Sequence, residues 1–128
     1  MNATNQHAKL LKGVDRSVTN NVAQWVEQLK MPEQGKRLQG ATSLLVCSLI
    51  DPARMKRENV GDQIAAACER EDAIEPKMVM LATLDVLGHP SLSNLLTKAG
   101  QSDDLMVRNL VTFIKEKHYL EPVVVEDP

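Results

Sequence analysis

The sequence predicts a mainly α-helical fold, a compact helical domain of about five to seven helices. Three observations carry this. Apolar residues make up 43% of the 128-residue chain and charged residues 25%, the balance of a chain that buries a core. Only one Trp, one Tyr and one Phe occur, so the core is aliphatic; strands, which favour aromatic and β-branched residues, are disfavoured. Apolar positions recur at three- and four-residue spacing over most of the chain. The length suits one domain, residues 17–128, behind a flexible basic arm at residues 1–16.

Each element follows from local signals. Ser17 is placed to cap a helix carrying Val18, Val22, Trp25, Val26 and Leu29, which Met31-Pro32 ends. A second helix runs from Glu33 or Gln34 to Ile50, with Leu38, Ala41, Leu45 and Leu49 on one face. Its second half is apolar nearly all round, which marks it as central and buried. Asp51-Pro52 reads as N-cap and first helical position of a short basic segment, Ala53 to Asn59. A break near Asn59–Gly61 precedes a helix from Asp62 to Glu71 with Ile64, Ala67 and Cys68 inward. Glu75-Pro76 opens the next, buried through Met78, Leu81, Leu84 and Leu87 and stopped by Gly88. Ser91 caps a short helix carrying Leu92, Leu95, Leu96 and Ala99, and Gly100 ends it. Ser102 caps the last, whose apolar positions are Leu105, Met106, Leu110, Phe113 and Ile114. Glu121-Pro-Val-Val-Val125 has strand composition.

Several classes of function find no support. The longest apolar run, Leu44 to Ile50, is far short of the roughly 18 residues of a membrane span. The opening MNATNQHAKLLKG lacks the apolar stretch of a secretory signal. Cys47 and Cys68 have no CxxC spacing and sit in apolar helical contexts. They read as buried reduced thiols of a cytoplasmic protein, with a disulfide or a reactive thiol as the other readings. His7, His89 and His118 are far apart and without partners at metal spacing, so no metal or other cofactor is expected. His89, before Pro90, reads as a turn residue. There is no GxSxG, HExxH or P-loop, and no nucleophile–base constellation, so an enzyme is not expected. Glu69, Glu71 and Asp72 read as a solvated helix end, with Asp72 and Glu75 as a capping arrangement.

Residues 77–125 carry a helix-turn-helix rhythm: a helix, a short helix, a Gly-containing turn and a longer helix. Ser91-Leu-Ser-Asn-Leu-Leu-Thr-Lys-Ala-Gly100 resembles the second helix and turn of winged helix-turn-helix regulators of the MarR-like kind. Ile114-Lys-Glu-Lys-His-Tyr-Leu120, followed by the Val-rich segment, resembles the end of their recognition helix and the entry to the wing. The resemblance implies a winged-helix-like C-terminal half and a small, non-enzymatic regulator that binds double-stranded DNA as a homodimer. Ser91, Lys98, Arg108, Asn109 and Thr112 would then face the duplex. Lys9, Lys12 and Arg16 on the arm, with Arg54, Lys56 and Arg57, would contact phosphates.

Charge argues the other way. The net charge is −2, unevenly spread. Residues 1–40 carry six cations against three carboxylates, whereas residues 85–128 carry four against seven. Asp103 and Asp104 stand at the start of the recognition helix, where a duplex repels carboxylates. Asp in a first turn stabilises a helix by about 0.3–1 kcal/mol through its dipole, which explains the pair without DNA. The second expectation is therefore a helical adaptor or inhibitor. Its protein-contact face would include Asp103, Asp104 and Trp25, the last serving either as core or as interface anchor.

Overall fold

The computed structural model describes the backbone of residues 16–125 and the side chains of residues 16–116. Among these residues a 3-10 turn, Arg16–Asn21, leads into seven α-helices: α1 (Val22–Gln28), α2 (Gln34–Ile50), α3 (Pro52–Arg57), α4 (Val60–Arg70), α5 (Ile74–Leu87), α6 (Leu92–Ala99) and α7 (Leu105–Val125). No strand occurs among the described residues. The mainly helical fold expected from composition is thus observed.

Helices α2 and α5 form the centre, with α1 packed on α2 and α4 on α5. The largest fully buried side chains are aliphatic or thioether, Leu44, Met55, Ile64, Met80, Leu81, Leu84, Val107 and Ile114, with Thr83 and Ser48 buried among them. On α2 the buried stripe is Gly40, Ala41, Leu44, Cys47 and Ser48, while Leu38, Leu45 and Leu49 lie half-buried at its flank. The small residues decide this. A Cβ on Gly40 would lie 2.6 Å from the Trp25 carbonyl oxygen and 2.9 Å from Gln28 Cβ, so only glycine lets α1 cross α2 this closely. Buried Gln28 is satisfied at the crossing: its amide nitrogen donates to the Lys36 carbonyl (3.1 Å) and to Gln39 Oε1 (3.0 Å).

Local signals behave as chemistry requires at several ends. Asp51 Oδ1 accepts the Arg54 N–H at 3.1 Å, with Pro52 at the first position of α3. Asn59 adopts a left-handed φ of 56° and Gly88 one of 61°, breaking the chain where α4 begins and α5 ends.

Two segments depart from expectation. The first helix is 3-10 up to Asn21, and Ser17 lies inside that turn rather than before it. Its carbonyls are claimed from elsewhere. Trp25 Nε1 donates to Val18 O (2.9 Å) and Arg54 Nη1 to Thr19 O (2.9 Å), so that stretch is held by distant side chains. The second departure is Glu121 to Val125, which continues α7 as helix. A lone strand would leave its backbone groups without a ladder, whereas an existing helix supplies partners to each amide except at Pro122, which has none to satisfy. The wing of a winged helix is therefore missing from the described residues.

The α1–α2 crossing yields a paired prediction. Gly35→Ala, with nothing within 4 Å of the new Cβ, should raise stability by about 0.5 kcal/mol. Gly40→Ala should lower it by about 1–3 kcal/mol despite alanine's better helix propensity. Urea denaturation of the two variants checks both signs; a gain from both would mean a looser crossing.

Candidate functional site

Helix α7 carries two apolar stripes side by side. Val107, Val111 and Ile114 turn inward and are buried. Met106, Leu110 and Phe113 follow the same three-and-four spacing a quarter-turn away. Leu110 is half-buried on the core, but Met106 and Phe113 are 63% and 65% exposed, as is Leu105 at 62%. The expected inward positions Leu105, Met106 and Phe113 are thus corrected to a surface. Periodicity could not choose between the stripes, because both fit a helix equally well. The β-branched set Val107, Val111 and Ile114 fills the space against α5 and α6.

The aspartates at the head of α7 have distinct roles. Asp104 is the N-cap: its Oδ1 accepts the Val107 N–H (3.1 Å) and its carbonyl accepts the Arg108 N–H (3.1 Å). Ser102 supports it one step back, its Oγ accepting the Asp104 N–H at 3.1 Å. The cap therefore falls two residues later than the Ser102 expected from sequence. Asp103 is exposed.

The residues expected to face DNA are scattered in role. Lys9 and Lys12 lie outside the described residues. Arg16 is exposed at the start of the 3-10 turn. Arg54 is committed to the fold: besides Thr19 O, its Nε meets Glu58 Oε2 at 2.6 Å, and that carboxylate holds the guanidinium more firmly charged. Lys56 and Arg57 are exposed. Lys98 pairs with Glu69 at 3.6 Å on the surface. Ser91 precedes α6 without a side-chain cap bond. Arg108, Asn109 and Thr112 face outward on α7, and the Thr112 hydroxyl donates to the Arg108 carbonyl (3.1 Å). Trp25 is half-buried against the core, with its indole N–H donated to the Val18 carbonyl at 2.9 Å.

Two constellations had no signal in the sequence, since their members lie 27 and 34 residues apart. Glu71, expected on a solvated helix end, is buried. It receives Arg37 through Nε (2.8 Å) and Nη2 (3.1 Å) and also accepts the Ala73 N–H (3.1 Å). His89 is more than a turn residue. Its Nε2 lies 2.7 Å from Asp62 Oδ1, and its Nδ1 accepts the Ser91 N–H at 3.1 Å. With Nδ1 an acceptor, the Nε2 proton goes to Asp62, and neither nitrogen is open to a substrate.

Cys47 and Cys68 are free and buried. Burial pushes both thiols up, Cys68 to about 11, so neither is poised as a thiolate. Among the described residues no group of three His, Cys, Asp or Glu side chains is placed to hold a metal, and no helix is long and apolar enough to cross a membrane. Comparison with protein-family models, characterised proteins and solved structures returned no match.

Two outcomes are expected. Asp104→Ala should lose about 1 kcal/mol as a cap, while Asp103→Ala should stay within about 0.5 kcal/mol, both read by denaturant titration. Ellman's reagent at pH 8 should label the native thiols far more slowly than the denatured ones; equal rates would contradict their burial.

Proposed function

We propose that this chain is a helical protein-interaction module whose contact surface is the outer face of α7. One observation carries the reading. Of the five exposed large hydrophobic side chains among the described residues, Met31, Ile74, Leu105, Met106 and Phe113, three fall within nine residues of α7. Burying a side chain such as Phe113 is worth about 1.5–3 kcal/mol, so a helix presenting several has a strong reason to be covered. Helices that dock through apolar positions at this spacing are a recurrent recognition mode.

The helix-turn-helix-like order of α5, α6 and α7 then serves as a scaffold for protein contacts. Double-stranded DNA is the weaker partner for this face. A recognition helix would present Leu105, Met106, Phe113 and Asp103 to the duplex, and Arg54 is already spent on the fold. Two buried thiols suit a reducing compartment, so we assign the module to the cytoplasm.

The test pairs two measurements on the full chain. Affinity enrichment with the wild type and with Met106→Ser/Phe113→Ser should recover a partner that the double variant loses by about tenfold or more. Fluorescence anisotropy with generic duplex DNA across a salt series should show no steeply salt-dependent micromolar binding. Such binding, abolished by Arg108→Ala, would replace the proposal with the DNA reading.

A further inference from the structure

A second surface, separate from the α7 stripe, has its own chemistry. Two concavities of about 480 and 350 Å³ meet over the α5–α6 turn and share Gly88, His89 and Pro90. The larger runs along α6 past Leu92, Ser93, Leu96 and Thr97 to Lys115. The smaller runs back past Leu87 and Asp62 to Asn59 and Lys56. Leu87, Leu92, Leu96 and Pro90 supply apolar wall beside the polar Asn59, Ser93 and Thr97, and each concavity has one exposed lysine in its lining. Among the described residues Asp62 is the sole carboxylate lining either concavity, and it is bound to His89 at 2.7 Å. Neither Lys56 nor Lys115 forms an ion pair among the described residues.

The turn between the two halves is braced. A Cβ on Gly61 would lie 2.6 Å from His89 Cδ2, so glycine lets the ring lie against α4. The ring is fixed at both nitrogens, and Asn59 and Gly88, both left-handed, bound the smaller concavity. Residues in such conformations persist where surrounding structure holds them.

From this charge complementarity we propose that the groove from Lys56 over Pro90 to Lys115 binds an extended acidic peptide segment with aliphatic side chains. In an extended strand alternate side chains point to opposite sides, so leucines can face Leu92 and Leu96 while carboxylates reach the lysines. Both lysines are exposed, so the pairs add modest affinity and a clear salt dependence.

The probe is a fluorescein-labelled octapeptide of alternating aspartate and leucine, read by anisotropy on the full chain. Saturable binding is expected, weakened about fivefold or more by Lys56→Gln/Lys115→Gln. It should survive Met106→Ser/Phe113→Ser, which separates this groove from the α7 face. An asparagine–leucine peptide should bind at least fivefold more weakly. The proposal is overturned by no saturation up to about 1 mM, equal binding of the asparagine peptide, or indifference to the lysine changes. Loss of binding only in the α7 variant would also overturn it, by moving the peptide to that face. Far-UV circular dichroism confirms that the variants remain helical.

Discussion

The pairing of Arg37 with Glu71 joins three separate segments at one point. Arg37 rises from α2, and its Nη1 donates to the Met31 and Pro32 carbonyls at 2.9 and 2.6 Å, closing the α1–α2 loop. Its other nitrogens hold Glu71 in a bidentate clasp, and Glu71 in turn accepts the Ala73 amide that leads into α5. The central packing of α2 on α5 thus begins from a fixed corner. Glu71 is 4% exposed, and such a carboxylate is tolerated only when its oxygens are occupied. Apolar contacts alone would allow α2 and α5 to settle at several rotations; a planar fork meeting a carboxylate allows one.

How far the sequence disclosed this depends on distance along the chain. Asp51-Pro52 and Gly88 were legible because a cap, a fixed φ and a left-handed stop are properties of one or two residues. The aliphatic core was legible because composition leaves little else to bury. The 3-10 turn was not, since the groups that claim Val18 and Thr19 carbonyls, Trp25 and Arg54, come from seven and 35 residues away. Glu121 to Val125 misled through composition: a β-branched run is a weak preference, and with no neighbouring strand the growing helix prevails. On α7 the ambiguity is deeper. Two stripes of equal periodicity competed for one core, and only the shape of the space beneath chose Val107, Val111 and Ile114.

The same contrast holds for charge. Arg54 reads as a free phosphate contact but is drawn into the fold, and the two adjacent aspartates divide their labour. Asp104 satisfies orphan amides at a helix start, while Asp103 faces solvent. Counting charges along the chain gives the balance of a segment, but which charges remain available to a partner is settled by hydrogen bonds made across it.

The close crossing at Gly40 has a spectroscopic consequence. Trp25 is the chain's single tryptophan. Its carbonyl is fixed over Gly40 and its indole N–H over Val18, so the ring reports one environment, the seat of the 3-10 turn against α2. Phe113 and the other residues of the α7 surface lie in other elements. Fluorescence excited selectively at the tryptophan therefore supplies a clock for docking of the N-terminal turn, independent of events at α7.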